Sequence, residues 1–121
     1  MDDQEDILRI AELALRAVGK MQVELASSAP EGIERARQSP PDVILMDMMM
    51  PEMDGLTALG LIRGVRELER VPVVFMTARV QREEVAGYIA AGAIGVIRKP
   101  FSPMGLADEL RGLVRLAQQA P

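Results

Sequence analysis

Apolar runs short enough for strands alternate with longer stretches of helical periodicity, and this order constrains the fold more than any other feature of the chain. Ile7, Leu8, Ile10, Ala11, Leu13, Ala14, Leu15 and Val18 recur at helical spacing over residues 4–18. That spacing predicts a helix with a broad buried face, which Asp2 or Asp3 can cap. Met21, Val23 and Leu25 alternate with Gln22 and Glu24, the pattern of a half-buried strand. Ser27, Ser28 and Pro30 open a second helix with Ile33 and Ala36 facing inward, stopped by Ser39-Pro40-Pro41. Val43-Ile44-Leu45-Met46 and residues 71–76 are continuous apolar runs, as expected of parallel strands covered by helices on both faces. Between them, Pro51 and Gly55 frame a loop, and Leu56, Leu59, Ile62 and Val65 mark a helix. Residues 82–91 form another helix, ended by Gly92. Gly95-Val96-Ile97 is a short strand, and Ser102 caps a last helix through Leu106, Leu110, Leu113 and Leu116. Four strands and five helices in strict alternation predict an α/β fold with a doubly wound parallel sheet. Residues 1–121 show no linker or repeat, so a single domain is expected.

Composition removes most catalytic devices. The chain has no cysteine and no histidine, which excludes disulfide frameworks, zinc sites of the usual kind and Ser-His or Cys-His nucleophiles. Aromatic residues make up 2% and the formal net charge is −4. These values argue against a stacking platform for single strands and against a basic footprint for duplex DNA, so no nucleic-acid partner is expected. No apolar run reaches the length of a membrane span. The acidic start Met1-Asp2-Asp3-Gln4-Glu5-Asp6 is the reverse of a signal peptide. A cytoplasmic protein with no membrane partner is expected.

In doubly wound sheets, ligands collect at the carboxyl ends of the strands. Asp2 and Asp3 precede the first helix, Asp47 ends one predicted strand, Thr77 the next, and Lys99 the last. Clustered carboxylates repel unless a cation lies among them. An oxygen-only donor set points to Mg²⁺. A carboxylate beside the metal is a nucleophile towards a phosphoryl group, and Lys99 and Thr77 supply a point charge and a hydroxyl for its oxygens. Phosphorylation would change the charge of Asp47 from −1 to about −1.5 to −2.

Four segments carry a resemblance: Met1-Asp2-Asp3-Gln4, the run from Ile44-Leu45-Met46-Asp47 through Met48-Met49-Met50-Pro51-Glu52-Met53-Asp54-Gly55, Val74-Phe75-Met76-Thr77-Ala78, and Lys99-Pro100-Phe101. In sequence and spacing, across nearly the whole chain, they resemble the receiver domain of bacterial two-component response regulators, in its single-domain, chemotaxis-regulator-like form. The resemblance implies a flavodoxin-like sheet of order 2-1-3-4-5. It makes Asp47 the phosphoacceptor, Thr77 the switch hydroxyl and Lys99 the phosphoryl contact. Mg²⁺ would be held by Asp3, Asp47 and the backbone carbonyl of Met49, with Asp2 acting through water, and Lys99-Pro100 would be cis. The implied partners are a histidine kinase or phosphotransfer protein and a downstream target protein. The implied activity is phosphoryl acceptance, at most self-catalysed, rather than enzymatic turnover.

Two departures shape further expectations. Val96 stands where the family commonly carries an aromatic switch residue, and Tyr88 does not replace it by position. The apolar strand that precedes the paired acids in the family is represented by Met1 alone, so the domain reads as N-terminally truncated relative to the family. Such a central strand contributes on the scale of a whole domain's stability, about 5–15 kcal/mol. Three explanations fit: a start codon upstream, a homodimer or strand-exchanged oligomer, or a degenerate receiver acting as a dimerisation or scaffold element. A metal-dependent phosphohydrolase ranks below these, because Met49 occupies the place of its second Asp. A free α-amino group at Met1 is expected to weaken Mg²⁺ binding at Asp2. Arg79, Arg82, Arg98, Arg111 and Arg115 form either a solvated face or a docking surface, and Asp54 reads as a turn or cap residue.

Overall fold

A computed structural model describes residues 1–119 of the chain, so the last two residues of the expected domain lie outside the described part. The order is α1 (Glu5–Leu13), a π-helical turn (Ala14–Val18), α2 (Ala29–Gln38), β1 (Ile44–Asp47), α3 (Gly55–Gly64), a 3₁₀ turn (Arg66–Leu68), β2 (Val73–Thr77), α4 (Arg82–Ala91), β3 (Gly95–Arg98) and α5 (Leu106–Gln119). The three strands form one parallel sheet of order β1-β2-β3. The α/β class holds, with five α-helices around a parallel sheet.

The sheet separates two apolar layers. Ile44, Met46, Val73 and Phe75 project into one layer with Leu59, Ile62, Leu68 and Tyr88. Val74, Met76 and Ile97 project into the other with Leu15, Leu106 and Leu110. Alternate residues of β2 therefore serve opposite layers, and all five are buried. This is why the run reads as continuously apolar rather than alternating. Phe75 meets Tyr88 edge-on at 5.7 Å between ring centroids.

Local chemistry sets the helix boundaries. Ser28 caps α2 by accepting the Glu31 N–H at 3.3 Å, while Glu31 accepts the Ser27 N–H at 3.1 Å, a reciprocal arrangement of the capping-box kind. Asp54 caps α3 through the Thr57 N–H at 2.8 Å, in keeping with its expected cap role. Gly92 ends α4 in the left-handed region, with φ of 118°. Two expected caps differ. Neither Asp2 nor Asp3 caps α1, whose N-cap residue is Gln4 with no side-chain bond; Asp2 instead accepts the Gln4 N–H at 3.0 Å. Ser102 lies in a turn closed by the Gly105 N–H on its carbonyl, and α5 begins after that turn at Leu106.

The expected strand over residues 21–25 is absent from the sheet. Its alternation is real: Met21, Val23 and Leu25 are half-buried, and Gln22 and Glu24 are exposed. A strand, however, is defined by its paired neighbour. Met1 and Asp2 stand between this segment and β1, and no ladder forms among the described residues. The segment is tethered instead by the Met21 N–H on the Leu15 carbonyl at 2.9 Å and by side chains. Arg16 donates to the Val23 carbonyl and Arg111 to the Gly19 carbonyl, which gives Arg111 an intramolecular role beside the one weighed for it on a docking face.

Arg63 ties the far end of the sheet together. Its guanidinium donates to the carbonyls of Val71 (2.7 Å), Leu68 (3.2 Å) and Gly92 (3.2 Å). Removing it leaves three carbonyls short of a charged donor. We expect Arg63→Ala to destabilise by about 2–3 kcal/mol and Arg66→Ala, at an exposed position, to be near neutral, both measured by urea denaturation. Gly55 has no such freedom to change: an added Cβ would lie 2.7 Å from the Phe75 ring and 3.1 Å from the Met48 Cα. Gly87, inside α4, faces open space. Gly55→Ala should therefore lose roughly 1–3 kcal/mol through overpacking, and Gly87→Ala should gain about 0.5–1 kcal/mol.

Candidate functional site

The carboxyl ends of the strands bring together side chains far apart in sequence. Asp47 closes β1, and its neighbour Met48 donates its N–H to the Met76 carbonyl at 2.9 Å. Thr77 closes β2, and the Lys99 N–H reaches the Thr77 carbonyl at 2.9 Å, just past β3. Asp2 is held from two sides. Its N–H donates to the Ala26 carbonyl at 3.1 Å, while the Met1 carbonyl accepts the Asp47 N–H at 2.9 Å. Backbone pairing thus delivers Asp2, Asp47, Thr77 and Lys99 to one rim before any side-chain interaction is considered.

Lys99 sits between two acids. Its Nζ donates to Asp2 Oδ2 at 2.9 Å and to Asp47 Oδ2 at 3.0 Å. Asp2 is fully buried and Asp47 and Thr77 are nearly so, whereas Asp3 is exposed. One ligand oxygen from each of Asp2, Asp3 and Asp47 lies within 4.8 Å of the others. The main chain engages two carboxylate oxygens: Asp2 Oδ1 accepts the Gln4 N–H at 3.0 Å and Asp47 Oδ1 the Met49 N–H at 3.2 Å. Thr77 Oγ1 accepts the Arg79 N–H at 3.0 Å. It therefore lines the rim without a hydrogen bond to the carboxylates among the described residues. Met49 turns its side chain to solvent and only its backbone towards the acids.

The electrostatics follow from burial. Desolvation pushes the Asp47 carboxyl above the usual range, more than the Lys99 and Met49 hydrogen bonds pull it down, and Asp2 adds repulsion. For Lys99, burial works against the charged form, but the hydrogen bonds and charges of Asp2 and Asp47 outweigh it and raise the ammonium above its ordinary value. The Met1 α-amino group donates to the Leu45 carbonyl at 2.6 Å, and burial lowers its pKa to about 6.

The donor set fits a hard divalent cation. It consists of carboxylate oxygens with an exposed opening at Asp3, and it contains no nitrogen or sulfur ligand. Sequence reasoning found every acid of this cluster and Lys99. It missed the orienting amides of Gln4, Met49 and Arg79, because backbone donors leave no trace in residue identity. The cis Lys99-Pro100 bond that the resemblance implies is present.

Comparison with known proteins agrees with this geometry. The family model of the response regulator receiver domain matches residues 1–111. The transcriptional regulatory protein KdpE of Mycobacterium tuberculosis is 33% identical over 115 residues, covering 95% of this chain and 49% of that protein. A probable transcriptional regulator, ycf27 of Guillardia theta, is 32% identical over 120 residues, covering 99% of this chain and 46% of the relative. The chain thus spans about half the length of these curated relatives. Among solved structures, the chemotaxis response regulator CheY4 of Vibrio cholerae superposes with a TM-score of 0.85 at 28% identity, over 93% of this chain and 92% of that one. The acidic rim, the parallel sheet that assembles it and the match across residues 1–111 together make this chain a member of the response regulator receiver domain family.

Proposed function

We propose that this receiver is a phosphoryl-accepting signalling module in which Asp47 is phosphorylated by a histidine kinase or phosphotransfer protein in the cytoplasm. The observation that carries this reading is the pair of contacts from Lys99 Nζ to Asp47 (3.0 Å) and Asp2 (2.9 Å) on a rim that also holds Asp3 and Thr77. An Asp47 oxygen attacks the phosphorus of the donor phosphohistidine. The P–N bond breaks as the P–O bond forms, and the imidazole leaves with the nitrogen electron pair. Lys99 neutralises charge on the phosphoryl oxygens, exchanging its carboxylate contacts for them. Thr77 turns its hydroxyl from the Arg79 N–H towards the new phosphoryl group, and the loop after β2 follows, presenting an altered face to a downstream protein.

Asp3, Asp47 and the Met49 carbonyl would hold Mg²⁺, with Asp2 reached through water. Bound there, the ion would offset carboxylate repulsion and orient the phosphoryl oxygens. Asp47 and Lys99 perform the transfer itself. Val96, half-buried on β3, leaves Thr77 and the loop after β2 as the responding element.

Two experiments test this reading. Incubation with acetyl phosphate and Mg²⁺ should add one phosphoryl group by intact-protein mass spectrometry, and Asp47→Asn should abolish the gain. No adduct on folded wild-type protein overturns the proposal and favours a phosphorylation-incompetent scaffold. The second experiment uses the raised Asp47 pKa. A carboxyl raised in the folded state binds its proton more tightly there than in the unfolded chain. Stability therefore falls as pH rises from the unfolded value of about 4 through the higher folded one. With divalent ions chelated at pH 7, Asp47→Asn should melt above wild type. Millimolar Mg²⁺ should narrow that gap by stabilising wild type alone, as scanning calorimetry would show.

A further inference from the structure

The apolar face expected of the first helix divides in two. Leu8, Ala11, Ala14 and Leu15 are buried, whereas Ile10 (41% exposed), Leu13 (67%) and Val18 (43%) meet solvent, together with the exposed Ala17. Ile10, Leu13 and Ala17 follow one another at three and four residues, the spacing of a single helix face. The π turn over Ala14–Val18 brings Val18 to the same side. Eight residues on from Ile10, an unbroken α-helix would carry Val18 about 80° round towards the buried face. The wider π turn lags behind that phase, in keeping with the exposure of Val18. An apolar stripe therefore runs along the outside of α1 and its π turn. Charge is distributed lengthwise beside it: Glu5 and Asp6 stand at its start and Lys20 at its end, all exposed. Arg16 is occupied by Glu12 and by the Val23 carbonyl, but Asp6 and Lys20 make no ion pair among the described residues. Lys20 also holds a left-handed backbone, with φ of 58°. That conformation favours glycine or asparagine, so local structure alone does not call for a lysine there.

We infer that this stripe is an interface between two copies of the chain, whose α1 helices lie antiparallel across a two-fold axis. The charge pattern selects both the occupant and its direction. In an antiparallel pair the acidic start of each helix meets the basic end of the other, while a parallel pair would set Asp6 beside Asp6 and Lys20 beside Lys20. With Leu13 next to the axis, it packs on Leu13 of the second copy, and Ile10 packs on Ala17 and Val18. Asp6 then falls opposite Lys20 of the second copy, because positions 6 and 20 are equally distant from 13. Two-fold symmetry makes each of these contacts twice. The helices cross at about 20° from antiparallel, the packing of most helix bundles. A single helix face on each side places the interface at the low end of specific ones, below about 1,200 Å² in total, so association is reversible and depends on concentration. The pairing exchanges no strand, uses no residue of the acidic rim and does not depend on phosphoryl acceptance by Asp47.

Light scattering and sedimentation velocity on the 121-residue chain test this pairing. The mass should rise from monomer to dimer across the micromolar to submillimolar range, with weaker association at high salt. Leu13→Glu should leave a folded monomer throughout that range, because two carboxylates would face each other at the axis. Asp6→Lys and Lys20→Glu should each weaken association about fivefold or more, since each turns two attractive pairs into repulsive ones. The double variant Asp6→Lys/Lys20→Glu should regain wild-type affinity. Urea denaturation reports separately that each variant is folded. A dimer that Leu13→Glu leaves intact overturns the inference, and so does a double variant that associates no more tightly than either single one. A wild-type chain that stays monomeric across the whole range overturns it in favour of a different protein as the occupant of the stripe.

Discussion

Everything at the functional rim depends on one cation held between two acids that cannot both be left there alone. Asp2 is fully buried and Asp47 nearly so. A buried carboxylate without a partner is costly enough to change its protonation or its position. The Lys99 ammonium, within 3.0 Å of both, makes the arrangement tolerable. The residual strain is visible in Asp47, which burial holds above its ordinary pKa even with Lys99 in place. A site kept slightly unfavourable in this way gains from any cation that offsets its negative charge.

The fold brings these groups together through main-chain pairing. The parallel register sets Asp47 beside Met76 and Thr77 beside Arg98, and Lys99 follows one residue on. Because the sheet is covered by helices on both faces, its strands are apolar along their length until the carboxyl ends, where the first polar residues stand together. The backbone amides of Gln4, Met49 and Arg79 then orient the oxygens that the strands deliver. At the opposite end of the sheet Arg63 performs a purely architectural task, closing three carbonyls with one guanidinium. The two ends use the same type of group, a partly buried cation, for different purposes: Lys99 faces carboxylates that can change state, and Arg63 faces carbonyls that cannot.

Much of this was legible in residue order. Helix periodicity located all five helices, and the cap residues Ser28 and Asp54 and the terminator Gly92 could be named because their chemistry is local. The apolar runs located β1, β2 and β3 to within a residue or two. Where reading failed, the deciding interaction lay outside the segment. Residues 21–25 have the alternation of a strand and the half-burial that goes with it, yet they are not one, because a strand is a relation between two segments. Asp2 or Asp3 was expected to cap α1 and neither does; Asp2 instead meets Lys99, a residue 97 positions distant.

By itself, then, the amino-acid order determined which segments are helical, which runs must be buried, and that three acids, a threonine and a lysine end up among the strand ends. These follow from periodicity and from the chemistry of side-chain types, both of which act over a few residues. Only the tertiary structure decided that Lys99 bridges Asp2 and Asp47 at hydrogen-bond distance and that Thr77 rests on the Arg79 amide. It alone decided that Met1 and Asp2 hold a strand's place beside β1. Distances between residues remote in sequence are set by the packing of whole layers, and no local pattern encodes them.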